Sequence, residues 1–261
     1  VHYDFNETGS TVGNNGSLGD SQMLDTNSSP TDLHSAAGGG VSGETSDRAY
    51  DGTDATGMGT GDTGGIIQTN YNISSFTDFT IAFWFKTDGS EQIGGDNSYE
   101  KFMQYRAGGS SRLTLHGDGL DAETGDFLLT INGNHYASST AFTNTQEWVF
   151  VAVTYDGSQG SDTDRIRYYK GTTSDNAVGV DSIDASAYTV DIGSTNFNIG
   201  NEAGDLDRPF DGYLDEFHLY NEVLDASGVE DLRGNTMIPE PSSLLLLLGA
   251  ILGRFLLRRR E

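Results

Sequence analysis

The stretch FTIAFWFKT, Phe79 to Thr87, decides the fold class. Along an extended chain Phe79, Ile81, Phe83 and Phe85 fall on one face, and Thr80, Ala82, Trp84 and Lys86 on the other. A second stretch, EWVFVAVTYDG from Glu147 to Gly157, repeats the pattern. Val149, Val151, Val153 and Tyr155 share one face, and Asp156-Gly157 closes the strand as a turn. Period-two alternation places Phe79, Ile81, Phe83, Val149, Val151 and Val153 in a core, joined by Phe217 and Leu219 of a later run.

Working outward, strands are predicted over Lys101–Ala107, Arg112–His116, Phe127–Asn132, Asp164–Lys170, Phe197–Gly200 and Gly212–Tyr220. Gly, Asp, Asn and Ser separate these runs, as expected of an antiparallel all-β sandwich. Helical periodicity is confined to Leu224–Leu232, where Asp225 is placed to cap one short segment. Residues 8–62 are rich in Gly, Ser, Thr, Asn and Asp and read as long loops.

The chain of 261 residues holds 14 Lys plus Arg against 39 Asp plus Glu, a net charge of −25, and no Cys. A single sandwich accommodates this length, and its core needs no staple. The charge excludes nucleic acid as a partner, because phosphates would be repelled. It also opposes polyanionic polysaccharides, while permitting cations such as Ca²⁺ that take oxygen ligands. The absence of Cys excludes disulfide scaffolds, thiol catalysis and Cys-based zinc sites.

The carboxyl-terminal end has a different composition. Leu244 to Leu257 is apolar apart from Arg254, and Arg258, Arg259 and Arg260 follow. This run is shorter than the ~20 apolar residues of a helix that spans a bilayer. With Ser242, Ser243 and snorkelling arginines it reads as a short membrane segment, the basic cluster staying cytoplasmic. Pro239-Glu240-Pro241 lies just before it. Pro-Glu-Pro, an apolar helix and an arginine cluster, in that order, resemble the PEP-CTERM sorting signal of exported bacterial proteins. The resemblance implies processing by an exosortase-type membrane protease and localisation to the cell envelope or exterior. The chain opens on Val1 rather than Met, read as a position after a removed signal peptide or at a fragment edge.

Four further stretches carry a second resemblance. They are YDFNETGSTVGNNGSLGD (Tyr3–Asp20), FTDFTIAFWFKTDG (Phe76–Gly89), EWVFVAVTYDG with RIRYYKG (Glu147–Gly157, Arg165–Gly171), and the closing run Asn198–Leu232. In the last, Gly212, Asp215, Glu216, Tyr220 and Leu224 fall in register. Together they resemble the laminin G-like, concanavalin A-like lectin/glucanase superfamily, which implies a jelly roll of two antiparallel sheets. The expected organisation is a domain over 1–233, a linker over 234–243 and a sorting or membrane segment over 244–261.

The fold does not fix the chemistry. The Glu-x-Asp-x-Glu strand of the superfamily's β-glucanases is missing, and no Gly-x-Ser-x-Gly accompanies the five scattered His. The nearest acidic cluster, Glu202, Asp205, Asp207 and Asp211, precedes the last strand on a loop. The expected role is therefore non-catalytic binding of carbohydrate or another extracellular polymer. The alternatives are a glycan-cleaving enzyme of the same fold, or a matrix or adhesion protein without a discrete ligand. Trp84, Arg112 and His116 are the candidate ligand-binding residues, with Thr114 on the same face and Tyr105, Arg106 and Tyr136 behind them. An exposed Trp84 favours binding, and a buried one favours the matrix role. The resemblance also implies a structural Ca²⁺ at Asp215, shared with Asn14 of the amino-terminal turn. The alternative for Asp215 is a carboxylate that only receives backbone hydrogen bonds.

Overall fold

The computed structural model describes residues 1–17, 19–25, 29–53, 64–69, 71, 76–87, 99–107, 110–118, 125–140, 146–159, 164–185, 196–202, 206 and 208–238. Fifteen strands are seen among them. In chain order they are β1 (His2–Tyr3), β2 (Thr11–Val12), β3 (Ser21–Leu24), β4 (Tyr50–Asp51), β5 (Ile66–Gln68), β6 (Asp78–Thr87), β7 (Tyr99–Ala107) and β8 (Ser110–Asp118). They continue as β9 (Asp126–Ile131), β10 (Asn134–Ala137), β11 (Val149–Asp156), β12 (Ile166–Thr172), β13 (Val178–Ile183), β14 (Asn198–Ile199) and β15 (Gly212–Tyr220). One helix, α1 (Ala226–Thr236), follows β15.

The strands form two antiparallel sheets. The seven-stranded sheet runs β1-β15-β6-β11-β12-β13, with β4 also on β15, and the eight-stranded sheet runs β10-β9-β8-β7-β14-β5-β3-β2. The opening stretch is the spine of the first sheet. β6 pairs with β11 in unbroken register from Asp78↔Asp156 to Phe85↔Val149. The alternation read from sequence holds: Phe79, Ile81, Phe83, Val149, Val151, Val153, Phe217 and Leu219 all lie in the core between the sheets. Phe83 stands 4.9 Å from Phe102 and 5.9 Å from Phe217, with Phe85 and Phe127 beside it. Tilted and edge-on ring contacts of this kind add to the area they bury.

The outer face of the seven-stranded sheet is also covered. Ala82, Trp84, Phe150 and Ala152 form a second cluster with Val41, Tyr169, Ala177 and Val229 of α1. The helix starts where the sequence placed its cap. The Asp225 carboxylate accepts from the Gly228 N–H at 2.8 Å, satisfying a donor the first turn leaves open. Arg233 pins the helix to the sheet through the Thr172 carbonyl (2.8 Å) and also pairs with Glu230. The packed part of the chain therefore extends past the expected boundary at 233, to the Thr236 that bonds Trp84.

Elsewhere the sequence under-read the sheets. Residues 8–62 contribute β2, β3 and β4, and β5, β10 and β13 are additional strands. Pro239, Glu240, Pro241, Arg258, Arg259 and Arg260 lie outside the described residues, as does the apolar run between them. Among the described residues no helix is long and apolar enough to cross a membrane.

Candidate functional site

The outer face of the eight-stranded sheet carries a row of polar side chains that no single strand reveals. Strand register aligns Thr11, Gln22, Gln68, Asn198, Gln104, Thr114, Thr130 and His135 across all eight strands. Their neighbours Met23, Ile67, Ile199, Met103, Tyr105, Leu113, Leu115, Leu129 and Ile131 face the core, so alternation turns the row outward. The ends of the row are exposed and its centre is sunken. Thr114 is 1% exposed and Asn198 4%, with Gln104 and Thr130 as deeply placed.

The sunken centre holds polar atoms the protein does not satisfy. Thr114 Oγ1 and Asn198 Oδ1 are buried without a hydrogen-bond partner. Leaving a buried polar atom unpaired costs about 1–3 kcal/mol, so such atoms call for a function or a ligand. Beside them His116 Nε2 lies 3.1 Å from Thr130 Oγ1, which in turn lies 2.8 Å from His135 Nδ1. Burial, helped by the neighbouring Lys101, His135 and Arg208, pushes the His116 imidazole down to about 2. The ring is thus neutral at physiological pH and offers both donor and acceptor. At the margin Glu202 is bridged by Arg106 (2.6 Å) and Arg208 (3.3 Å), so its charge is matched. The face presents mixed hydrogen-bonding groups, an uncharged row flanked by Lys101, Arg106, Arg112, Arg208 and Glu202, a surface suited to hydroxyl-rich ligands.

The sequence-predicted residues divide. Arg112, Thr114 and His116 do share this face, on β8, with Arg112 part-exposed and His116 buried beneath its neighbours. Trp84 is corrected: it is 0% exposed, packed against Phe150, and its indole N–H donates to Thr236 Oγ1 of α1 at 2.8 Å. The strand period assigned its face properly, but a helix covers that face, so no ligand reaches it. Tyr105 points into the core. Gln104, Thr130 and Asn198 were missed, because their alignment depends on pairing between strands distant in sequence. The signal available was one polar residue between core residues on each strand.

Asp215 is fully buried on the outer side of the other sheet. Its Oδ2 accepts from Val41 N–H (2.7 Å) and its Oδ1 from Glu216 N–H (2.8 Å). Burial, with the nearby acids Asp47 and Glu216, holds its carboxyl well above the usual range. Asn14 Oδ1 accepts instead from the backbone N–H groups of His2 (2.9 Å) and Gly16 (2.8 Å). The described hydrogen bonds of the two residues thus run to different partners, and those of Asp215 match the backbone-bonded alternative. A bulge between Asp215 and His218, with Glu216 at φ +50°, turns its side chain toward His2 and His218 rather than to the opposite sheet face. Asp205, Asp207 and Asp162 lie outside the described residues, and Asp164 accepts a hydrogen bond from Ser182.

A two-sheet jelly roll with one helix-covered face and one polar face defines a lectin-like sandwich. The chain belongs to the concanavalin A-like lectin/glucanases superfamily, whose family model matches residues 60–230. The PEP-CTERM protein-sorting motif matches residues 238–260, the signal of an exported, envelope-associated protein. No curated protein matches the chain by sequence. Among solved structures it is similar to domain 4 of AbnA, an extracellular GH43 arabinanase from Geobacillus stearothermophilus, in complex with arabinotriose. The TM-score is 0.56 at 18% identity, covering 88% of this chain and 96% of that one. It is also similar to the binding domain of botulinum neurotoxin DC in complex with SialylT (TM-score 0.53, 11% identity), covering 89% of this chain and 52% of that one. At these identities the likeness concerns the fold.

Proposed function

We infer that this chain is a non-catalytic module of the cell envelope that binds an uncharged carbohydrate chain along the outer face of its eight-stranded sheet. The observation that carries the reading is the pair of buried, unpartnered atoms, Thr114 Oγ1 and Asn198 Oδ1, at the centre of an otherwise hydrogen-bonding row. Sugar hydroxyls both donate and accept, so a neutral saccharide can bond the exposed residues of the row, Thr11, Gln22, Gln68 and His135, and pairs with the two buried atoms only as the side chains over them move aside. Residues 1–238 hold 10 Lys plus Arg against 37 Asp plus Glu, which disfavours polyanionic glycans. The complex of a domain of the same fold with arabinotriose, a neutral saccharide, supports the ligand class. The PEP-CTERM match supports a module that is exported, processed by an exosortase-type protease, held at least transiently at the membrane and set among envelope polysaccharides. Glycan cleavage is disfavoured because the paired-acid strand of the superfamily's glucanases is missing from the sequence, and Glu202 at this face is held by two arginines.

A matrix or adhesion role without a discrete ligand is the second reading, and the burial of Trp84 favours it. A glycan-array screen of the chain, with and without Ca²⁺, separates the two. Selective retention of neutral glycans supports binding, and a blank array supports the matrix role.

A further inference from the structure

We propose that His2, Glu216 and His218 form a binding site for a first-row transition-metal dication of the Zn²⁺ class, on the sheet opposite the carbohydrate face. Strand pairing sets the first two imidazoles together. His2 on β1 lies opposite His218 on β15, while Tyr3 and Phe217 beside them enter the core. The rings stack at 4.0 Å between centroids. The β15 bulge supplies the third group. Glu216 occupies the left-handed region at φ +50°, a conformation that costs a non-glycine residue energy and recurs at functional positions. It brings Glu216 Oε2 to 2.6 Å from His2 Nε2 and 3.5 Å from His218 Nε2.

Among the described residues these are the one group of three His, Asp or Glu whose ligand atoms all lie within 4.8 Å of one another. Ligands ~2.0–2.2 Å from a tetrahedral zinc stand roughly 3.3 Å apart, so side-chain adjustments of about 1.5 Å or less complete the shell. A second observation is a ring nitrogen that Glu216, at 3.5 Å, approaches without a well-formed hydrogen bond. His218 is 5% exposed, and its Nε2 is buried with no hydrogen bond. Its other nitrogen, Nδ1, is 3.1 Å from Tyr220 Oη, and the Tyr220 ring stacks on it. That contact orients the imidazole as outer partners of metal-ligating histidines do, leaving Nε2 to face the carboxylate.

The site has an approach. His2 also lines an open cavity of about 470 Å³ with Asp4, Asn6, Asn15 and Ser46, so a fourth ligand, water or an external group, can reach the ion. Two neutral imidazoles and one carboxylate leave a bound dication with excess positive charge, which Asp4 beside His2 and Glu216 offsets. Two nitrogens and one oxygen suit zinc or a neighbouring transition metal better than calcium. Such an ion would clamp the amino-terminal strand to β15.

The test uses the full chain, stripped of metal and titrated calorimetrically with Zn²⁺, with Co²⁺ as a visible-absorption probe. The expected result is one tight site per chain, d–d bands of low-coordinate cobalt, and a higher melting temperature with Zn²⁺. His2→Gln and Glu216→Gln should each weaken Zn²⁺ at least tenfold, and Tyr220→Phe by less. His34→Gln should leave binding intact. If His218→Gln fails to fold, the part-exposed His2 still decides the matter. Equal Zn²⁺ affinity in wild type, His2→Gln and Glu216→Gln would overturn the proposal, as would a wild type that binds no zinc.

Discussion

Replacing Trp84 by phenylalanine tests whether this residue holds the fold or holds a ligand. The indole sits between Phe150 and the α1 cluster, and its N–H bonds Thr236 Oγ1 at 2.8 Å. Phenylalanine removes that bond, a net loss of about 1 kcal/mol. It also leaves space where the larger ring was, adding about 1–2 kcal/mol. For a domain of this size each kcal/mol lowers the melting temperature by about 2–4 °C, so the drop should be roughly 4–12 °C. Trp84→Ala, at about 3–5 kcal/mol, should drop further. The chain has two tryptophans, so Trp148→Phe leaves Trp84 as the sole reporter. Its emission should be blue-shifted, resist acrylamide and ignore added glycan. An unchanged melting temperature in Trp84→Phe, or quenching of Trp84 by a bound sugar, would refute the assignment.

Three other outcomes follow from the same structure. The unfolded His116 takes up a proton near pH 6.5, whereas the folded imidazole is held down to about 2. Its contribution is therefore complete above pH 6.5 and lost as the pH falls, by about 1.4 kcal/mol per unit; urea melts at pH 7, 6 and 5 should show a shallower decline in His116→Gln, and an identical decline would contradict it. Deleting residues 239–261 should release the protein into the medium, checked by fractionation; unchanged envelope retention would contradict the sorting role. The calcium proposal at Asp215 and Asn14 is checked by melts of wild type and Asp215→Ala in Ca²⁺ and in chelator. It requires a Ca²⁺-specific stabilisation that Asp215→Ala loses, and a wild-type midpoint that Ca²⁺ does not move removes it.

Much of the fold was legible because β6 and β11 pair in unbroken register and each buries one apolar face against the other sheet. Period two is then a local signal. Short strands such as β5, three residues long, lack a period of their own and exist through their neighbours. The second covering of Trp84 was invisible for a similar reason: a strand shows which side a residue faces, but not whether a helix 150 residues later lies on it. The direction of Glu216 was not legible because a bulge breaks the alternation on which any face assignment rests. Arg112, Thr114 and His116 were legible as one face of a single strand. The row they join, through Gln104, Asn198 and Thr130, is a property of register. The tail motif was legible because it is contiguous.

The most direct test of the carbohydrate face is a paired measurement on Thr114→Val and Asn198→Ala. Both are to be titrated calorimetrically against the neutral glycan that the wild type retains best, alongside their thermal stability. Thr114→Val removes a buried hydroxyl that has no protein partner and keeps its volume, so the free protein should be as stable as wild type or more so. Each variant should bind the glycan roughly 5- to 150-fold more weakly, the equivalent of about 1–3 kcal/mol for a lost buried hydrogen bond. Stability held while affinity falls is the predicted result. Wild-type affinity in both variants would contradict the assignment of this face as the binding site.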